Sequence, residues 1–108
     1  MEPRDHREEV SYKMRDYEIM YIIKPELDEE AVQAVVDRFN TLIADNGGEV
    51  VTADKWGKRK LAYEIKDYRD GIYILVNFKG EAGTARELDR VLKITDDILR
   101  FMIISKEK

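Results

Sequence analysis

The chain has 108 residues, which is the size of a single domain with one hydrophobic core and excludes a multidomain enzyme. It is 44% hydrophobic and 39% charged, with two prolines and six glycines, a composition typical of a compact, well-solvated domain rather than a disordered one. Because the chain contains no cysteine, disulfides, zinc–thiolate sites and thiol nucleophiles are excluded, and a cytoplasmic location is expected.

The formal net charge of −4 at pH 7 argues against a protein that binds nucleic acid on its own, because such binding depends on clustered Lys and Arg that neutralise phosphates. A local basic patch remains compatible with this charge. The longest apolar runs, Ile19–Ile23 and Phe101–Ile104, have the length of strands and are far too short to span a membrane. Residues 1–13 are charged and poor in apolar side chains, so we expect a flexible N-terminal extension followed by one domain over residues 14–108.

Apolar side chains alternate along Tyr17–Ile23, which predicts the first strand. Pro25 has no N–H to donate and disfavours helix before it, so the strand ends there. Asp28 is expected to cap a helix, which Asn46-Gly47-Gly48 then ends. The apolar stripe of this helix recurs at spacings of three and four and consists of Val32, Val35, Val36, Phe39, Leu42 and Ile43.

The second half of the chain predicts three more strands and one more helix. Gly57 lies inside a long strand pattern, so we expect a bulge or bend at Trp56-Gly57. Residues 67–71 are typical of a turn, and Thr84 with Glu87 matches the Thr-x-x-Glu capping box of a second helix. The predicted strands are Glu49–Lys66, Ile72–Lys79 and Ile98–Lys106.

The order of these elements is βαββαβ, which is typical of the α+β class and of the ferredoxin-like split βαβ fold. Right-handed crossovers then place both helices on one face of a four-stranded antiparallel sheet of order 4-1-3-2. The opposite face of the sheet is left without helices.

Catalytic chemistry has little support in this sequence. The one histidine, His6, lies in the predicted extension, so a positioned imidazole is not available. The carboxylates of residues 28–30 resemble those that begin a helix, and Asp96 and Asp97 resemble loop residues. No phosphate-binding glycine loop is present. We therefore expect no catalytic residues, no metal site and no cofactor.

One cluster stands out in this acidic chain, the basic segment Lys55-Trp56-Gly57-Lys58-Arg59-Lys60. Its cations can pair with phosphates while the indole stacks on a base or covers the core. The alternative is a strand edge that its lysines protect from aggregation. Arg15 and Arg100 are added as RNA-binding candidates, since they belong to neighbouring predicted strands and would share a surface. The full candidate set for RNA is Arg15, Lys55, Trp56, Lys58, Arg59, Lys60 and Arg100.

The sheet face opposite the helices is unusually apolar. A large exposed apolar area usually marks a protein interface, although loops or the N-terminal extension could also cover it. Base stacking of the kind used by RNA-recognition sheets has less support, because the face lacks paired aromatic side chains with flanking cations. The candidate partner-binding residues are Met20, Ile22, Tyr73, Leu75, Met102 and Ile104.

Three stretches, 14–18, 22–27 and 56–65, together with the element order, resemble bacterial small-subunit ribosomal protein six. The run Gly57-x-Arg-x-Leu-Ala-Tyr-x-Ile65 is the most specific part of the likeness. The resemblance implies a structural, ribosome-associated protein that binds the central domain of small-subunit ribosomal RNA as a heterodimer with ribosomal protein eighteen. Two departures from the family pattern are the additional residues before Met14 and a C-terminus that ends in residues 105–108 rather than in an acidic tail.

An alternative from another class is a small ferredoxin-like ligand-binding domain or an acylphosphatase-like enzyme. That chemistry needs a phosphate-cradling loop after the first strand. Lys24-Pro25-Glu26 occupies this place, and its carboxylate repels anions. Neither a small-molecule substrate nor a membrane is therefore an expected partner.

Overall fold

The computed structural model describes residues 14–106 and contains six elements in the predicted βαββαβ order. The predictions about the extension over residues 1–13 lie outside the described residues. The elements are β1 (Arg15–Ile23), α1 (Glu29–Asp45), β2 (Glu49–Ile65), β3 (Tyr68–Gly80), α2 (Ala82–Lys93) and β4 (Ile98–Ser105).

The four strands form one antiparallel sheet in the order β2-β3-β1-β4, as predicted. The central strand β1 is flanked on both sides, so that Met20 lies between Leu75 of β3 and Met102 of β4. Residues that are directly opposite each other in antiparallel strands point to the same face. The register therefore assigns every strand residue to the helix face or to the open face of the sheet.

The core lies between the helix face and the two helices. Alternate residues of β1, among them Ile19, Tyr21 and Ile23, are buried in it, as are Phe39 of α1 and Leu88 of α2. Burial of each such side chain contributes about 1.5–3 kcal/mol. The predicted apolar stripes thus hold both helices against the same side of the sheet.

Helix α1 begins and ends where the sequence predicts. The Asp28 carboxylate accepts a hydrogen bond from the Ala31 N–H at 2.8 Å, and Gly47 follows the helix with φ of 83°, in the left-handed region that glycine tolerates. A Cβ on Gly48 would lie 2.7 Å from Ile43 Cγ2. This close approach brings β2 directly back from the end of the helix.

Helix α2 begins three residues before the predicted capping box, which corrects that expectation. Its N-cap is Glu81, and Thr84 occupies the third helical position, where its hydroxyl accepts from the Glu81 N–H at 3.2 Å. The same buried hydroxyl donates to the Asn46 carbonyl at 2.6 Å. Glu87 lies one turn further along, so the Thr-x-x-Glu spacing is present without forming the cap.

The long β2–β3 hairpin closes through two residues rather than through the predicted turn at 67–71. Ile65 pairs with Tyr68, and the intervening Lys66 and Asp67 have φ of 51° and 70°, as in the two-residue turns that match the twist of a hairpin. The predicted bulge is confirmed, because the register shifts between Lys55 and Gly57. Bulges bend a strand and increase its twist.

This bending places the distal half of the hairpin against the open face. Ile22, Leu61 and Leu99 form a second buried cluster there. Gly71 makes the approach possible, since a Cβ at this position would lie 2.2 Å from Ile22 Cγ2. One end of the open face is therefore covered by the chain itself.

Candidate protein and RNA interfaces

An apolar patch occupies the middle of the open face, and we define it by Met20, Leu75, Met102 and Ile104. Met20 is opposite both Leu75 and Met102, while Ile104 is opposite Glu18 on β1. Met102 is 46% exposed and Ile104 45% exposed. The structure thus brings four of the six predicted partner-binding residues into one contiguous surface.

The other two residues are less accessible. Ile22 is only 7% exposed because Leu61 and Leu99 cover it, which corrects the expectation that its side chain is open to a partner. Tyr73, which is opposite Ile22, packs against the same cluster and remains partly exposed. The cover comes from Leu61 of the hairpin and Leu99 of β4, neither of which the sequence singled out for this role.

A polar network borders the apolar patch at the end away from the distal half of the hairpin. The Asn77 amide donates to the Thr52 hydroxyl at 2.9 Å, and the Lys106 ammonium donates to the Asn77 carbonyl oxygen at 2.9 Å. Glu18 is directly opposite Asn77 in the register. The patch is therefore an apolar surface with a polar rim, as the central part of a protein interface is.

Arg100 lies on the open face at the covered end, opposite Ile22. Its guanidinium donates a hydrogen bond to the Tyr63 phenol oxygen and lies 5.8 Å from the centroid of that ring. Tyr63 belongs to β2 and is 59% exposed. The predicted RNA-binding arginine is thus engaged with the tip of the hairpin.

Arg15 and Arg100 do not share a surface, contrary to the sequence-based expectation. Arg15 is opposite Gly80, whereas Arg100 is opposite Ile22. The seven-residue separation along β1 corresponds to about 23 Å, at about 3.3 Å per residue. Odd-numbered residues of β1 point to the helix face, so the two arginines also differ in face. Adjacent strands were predicted correctly, but the antiparallel register puts these two residues at opposite ends.

The cations of the basic segment divide between the two faces of edge strand β2. Lys58 is opposite Ile72 and Arg59 is opposite Gly71, so their side chains alternate in direction. The Lys55 ammonium donates to the Gln33 side-chain oxygen on α1. Lys55 is therefore tied to the helix face, and the segment does not present all its cations to one plane.

Trp56 and Arg59 contact each other within the basic segment. The Arg59 guanidinium lies 5.4 Å from the centroid of the Trp56 ring, within the range of a cation–π contact. Trp56 lies in the bulge and belongs to neither buried cluster. Of the two roles considered for the indole, covering the core therefore has no support from these contacts.

Two residues that close the end of the open face, Leu61 and Tyr63, were not predicted from the sequence as site residues. Both belong to the alternating pattern beyond the bulge, which places them on one side of β2. The pattern alone does not say that the strand bends towards β4. The turn residues were a possible signal, since a two-residue turn at Lys66-Asp67 gives a longer hairpin than the predicted turn at 67–71 does.

Tyr68 holds the base of this hairpin tip to the loop after β1. Its hydroxyl donates to the Glu26 carboxylate at 2.9 Å, and this hydrogen bond raises the pKa of Tyr68.

Within residues 14–106, no group of three or more His, Asp or Glu side chains is arranged to hold a metal ion. Neither described helix is long and apolar enough to cross a bilayer.

Comparison with known proteins identifies the family. The family model described as Ribosomal protein S6 matches residues 16–105. The chain belongs to the ribosomal protein S6 family. It is 54% identical over 94 residues to the small ribosomal subunit protein bS6 of Desulfitobacterium hafniense, covering 87% of this chain and 99% of that protein. The bS6 protein of Desulforamulus reducens is 56% identical over 91 residues, which is 84% of this chain and 96% of that protein.

Solved structures agree with this assignment. The 30S ribosomal protein S6 of Thermotoga maritima superposes with a TM-score of 0.82 at 32% identity, over 87% of this chain and 89% of that chain. An uncharacterized protein of the same organism reaches a TM-score of 0.57 at 13% identity, over 88% of this chain and 100% of that chain, which shows the fold alone. The ferredoxin-like fold and the family predicted from the sequence are both confirmed.

Membership of the ribosomal protein S6 family also decides the class of function. This S6-family chain is a structural constituent of the small ribosomal subunit and not an enzyme. The acylphosphatase-like alternative is therefore excluded. The ribosome-associated function expected from the resemblance is confirmed at this level.

Proposed function

We propose that the chain binds the central domain of small-subunit ribosomal RNA as a heterodimer with ribosomal protein eighteen. The observation that carries the proposal is the apolar patch: its most exposed members, Met102 and Ile104, lie side by side on a face that neither helix covers. Contiguous apolar area of this kind favours a protein partner. Burying it removes apolar surface from water at about 25 cal/mol per Å².

The charge of the chain supports a role for a protein partner in RNA binding. With 19 basic and 23 acidic residues, the chain as a whole repels phosphates, and only the basic segment offers a local excess of cations. A basic partner would supply most of the counterion release that drives association with RNA. The heterodimer then binds RNA tightly where this chain alone binds it weakly.

The basic segment supports the RNA side of the proposal through Arg59 and Trp56. Contact with the indole orients the guanidinium, which favours bidentate pairing with a phosphate. The exposed indole can stack on an unpaired base. Arg15 and Arg100 remain candidates for RNA contact, each at its own end of the sheet.

Filter binding to an RNA fragment of the central domain tests the proposal. The chain alone, ribosomal protein eighteen alone and their mixture are compared at two salt concentrations. We expect weak binding by the chain alone and tight, salt-dependent binding by the mixture. Tight binding by the chain alone, or no complex between the two proteins, would contradict the proposal.

A further inference from the structure

A small recess opens next to the apolar patch, between the sheet and the hairpin. Its floor is formed by Met20, Ile22 and Tyr73 of the sheet, and its wall by Leu61 and Tyr63 of β2. Its volume is about 170 Å³. Because Met20 and Met102 belong to both, the recess is continuous with the apolar patch.

The size of the recess selects the kind of group that fits. A protein cavity of about 150 Å³ with apolar walls holds one benzene molecule, whereas sites for drug-sized ligands measure about 300–1,000 Å³. The recess therefore holds one small aromatic group, of the size of benzene or indole. A peptide segment or a nucleotide is too large for it.

The lining favours an aromatic ring over an aliphatic group. Tyr63 and Tyr73 offer ring faces and edges, and the thioethers of Met20 and Met102 make favourable contacts with aromatic rings. The Arg100 guanidinium, at the rim, can pair with the face of a further ring, as it does with Tyr63. Each of these contacts is specific to an aromatic guest.

The polar atoms of the recess argue against a nucleobase. Recognition of a base uses several hydrogen bonds to its edges, but the polar side-chain groups that line the recess are limited to the Arg100 guanidinium and the phenols of Tyr63 and Tyr73, and one Arg100 N–H is already donated to Tyr63. The other lining side chains are apolar. A Phe, Tyr or Trp side chain loses fewer hydrogen bonds than a base on entering such a site.

We infer that this recess receives one aromatic side chain of the protein partner. The inference rests on the proposed function, because the partner must cover the adjoining apolar patch. An aromatic anchor in a desolvated pocket is the arrangement that dominates the energy of many interfaces. The hairpin thus builds the specific site, while the patch supplies general apolar area.

Indole tests the recess without the partner. The chain has four methionines, so ¹³C-methyl methionine labelling gives a simple spectrum in which Met20 and Met102 report on the recess and Met14 serves as a reference outside it. We expect saturable ring-current shifts at Met20 and Met102 on titration with indole. Uridine is titrated in parallel and is expected to leave both signals in place.

Two matched substitutions test the role in pairing. Met102 and Ile104 lie on the same strand and face and are equally exposed, but only Met102 lines the recess. We expect Met102→Trp to fill the recess, abolish the indole shifts and weaken pairing with ribosomal protein eighteen at least tenfold more than Ile104→Trp does. Circular dichroism confirms that both variants fold.

The outcomes separate this inference from the proposed function. Normal pairing by the wild type with equal effects of the two substitutions, or saturable shifts with uridine but not with indole, would overturn the aromatic-anchor inference and leave the proposed function intact. If the wild type does not pair at all, the proposed function fails, and the inference about the partner fails with it. The indole titration still decides whether the recess accepts a ring.

Discussion

Tyr63 and Arg100 lie on strands at opposite edges of the sheet, and yet their side chains are hydrogen-bonded. Three strand spacings of about 4.8 Å separate β2 from β4 in a flat sheet, or about 14 Å. The contact exists because the distal hairpin bends across the open face. This pair of residues therefore marks how far the bulged strand departs from a flat sheet.

We expect Tyr63→Ala to loosen the hairpin tip with little effect on the whole domain. Both side chains of the pair are exposed, so the free energy of unfolding should fall by less than about 1 kcal/mol. Amide hydrogen exchange at residues 59–70 should become faster, because the tip is no longer bonded to β4. Tyr63→Phe removes the hydrogen bond but keeps the ring beside Arg100, so it separates the two contacts. Unchanged exchange in the alanine variant would show that the Tyr63–Arg100 pair does not hold the tip.

Gly71→Ala should lower the free energy of unfolding by about 1–3 kcal/mol through overpacking. The added Cβ would lie 2.2 Å from Ile22 Cγ2, so the hairpin and β1 must move apart. Gly83→Ala is the matched control, since nothing lies within 4 Å of its Cβ position in α2. Alanine there should raise stability by up to about 1 kcal/mol. Urea denaturation measures both variants, and equal stabilities would contradict the close packing at Gly71.

Tyr21→Phe should stabilise the domain by about 1 kcal/mol at neutral pH. The buried Tyr21 hydroxyl has no hydrogen-bond partner among the described residues, and an unsatisfied buried polar group is costly. The ring itself packs edge-on against Phe39, with centroids 5.4 Å apart, and remains in the phenylalanine variant. A loss of stability in urea denaturation would mean that the hydroxyl is satisfied in solution.

Tyr21 also predicts a dependence on alkaline pH. Burial, with a smaller contribution from the Asp37 charge, raises the pKa of Tyr21 well above its ordinary value of 10.0. The unfolded chain therefore loses this proton first, and stability is lost as the pH rises from 10 towards the folded pKa. The decrease in the free energy of unfolding per pH unit in this range should be smaller by about 1.4 kcal/mol in Tyr21→Phe than in the wild type. Identical slopes would contradict the burial of a neutral phenol.

Leu75→Asp should abolish pairing with ribosomal protein eighteen while leaving the domain folded. Leu75 lies on the apolar patch and is half-buried, whereas the adjacent Ile74 is fully buried in the core. A carboxylate at 75 stays hydrated until a partner covers it. Ile74→Asp should unfold the chain and provides the contrast. Co-purification and circular dichroism decide the matter, and an unfolded Leu75→Asp variant would show that the open face also belongs to the core.

The double substitution of Arg59 and Lys60 by Gln should weaken RNA binding by the heterodimer. The slope of log affinity against log salt should fall by roughly one unit for each phosphate that the variant no longer neutralises. Substituting Arg86 and Lys93 of α2 by Gln removes the same charge from the helix face and should have a smaller effect. Pairing should survive in both variants. Equal slopes in the two variants would favour the alternative that the cations of the basic segment only protect an edge strand from aggregation.

Local patterns were sufficient for much of this fold. The alternation in β1 indicated its buried face, and Asp28 with Gly47 indicated both ends of α1. These features depend on neighbours in the sequence. The start of α2 was predicted three residues too late, because Thr84-x-x-Glu87 and Glu81-x-x-Thr84 both resemble a cap. The structure uses Glu81, directly after β3.

The interfaces were less predictable because they depend on distant parts of the chain. Alternation correctly placed Met20, Leu75 and Met102 on one face. It could not show that the bulged hairpin covers Ile22 and creates a recess beside it. It also could not supply the register, on which the separation of Arg15 from Arg100 depends.

The pairing of β1 with β4 has a consequence for the order in which the domain is completed. Tyr17 is opposite Ser105, so the first and last strands are neighbours although most of the chain separates them. During synthesis, β1 and the β2–β3 hairpin can associate early, but the other edge of β1 stays unpaired until β4 has been made. Such long-range closure is slow, and the waiting edge is a site where another chain could pair wrongly. The central strand of the nascent protein is therefore open to wrong pairing until β4 pairs with β1.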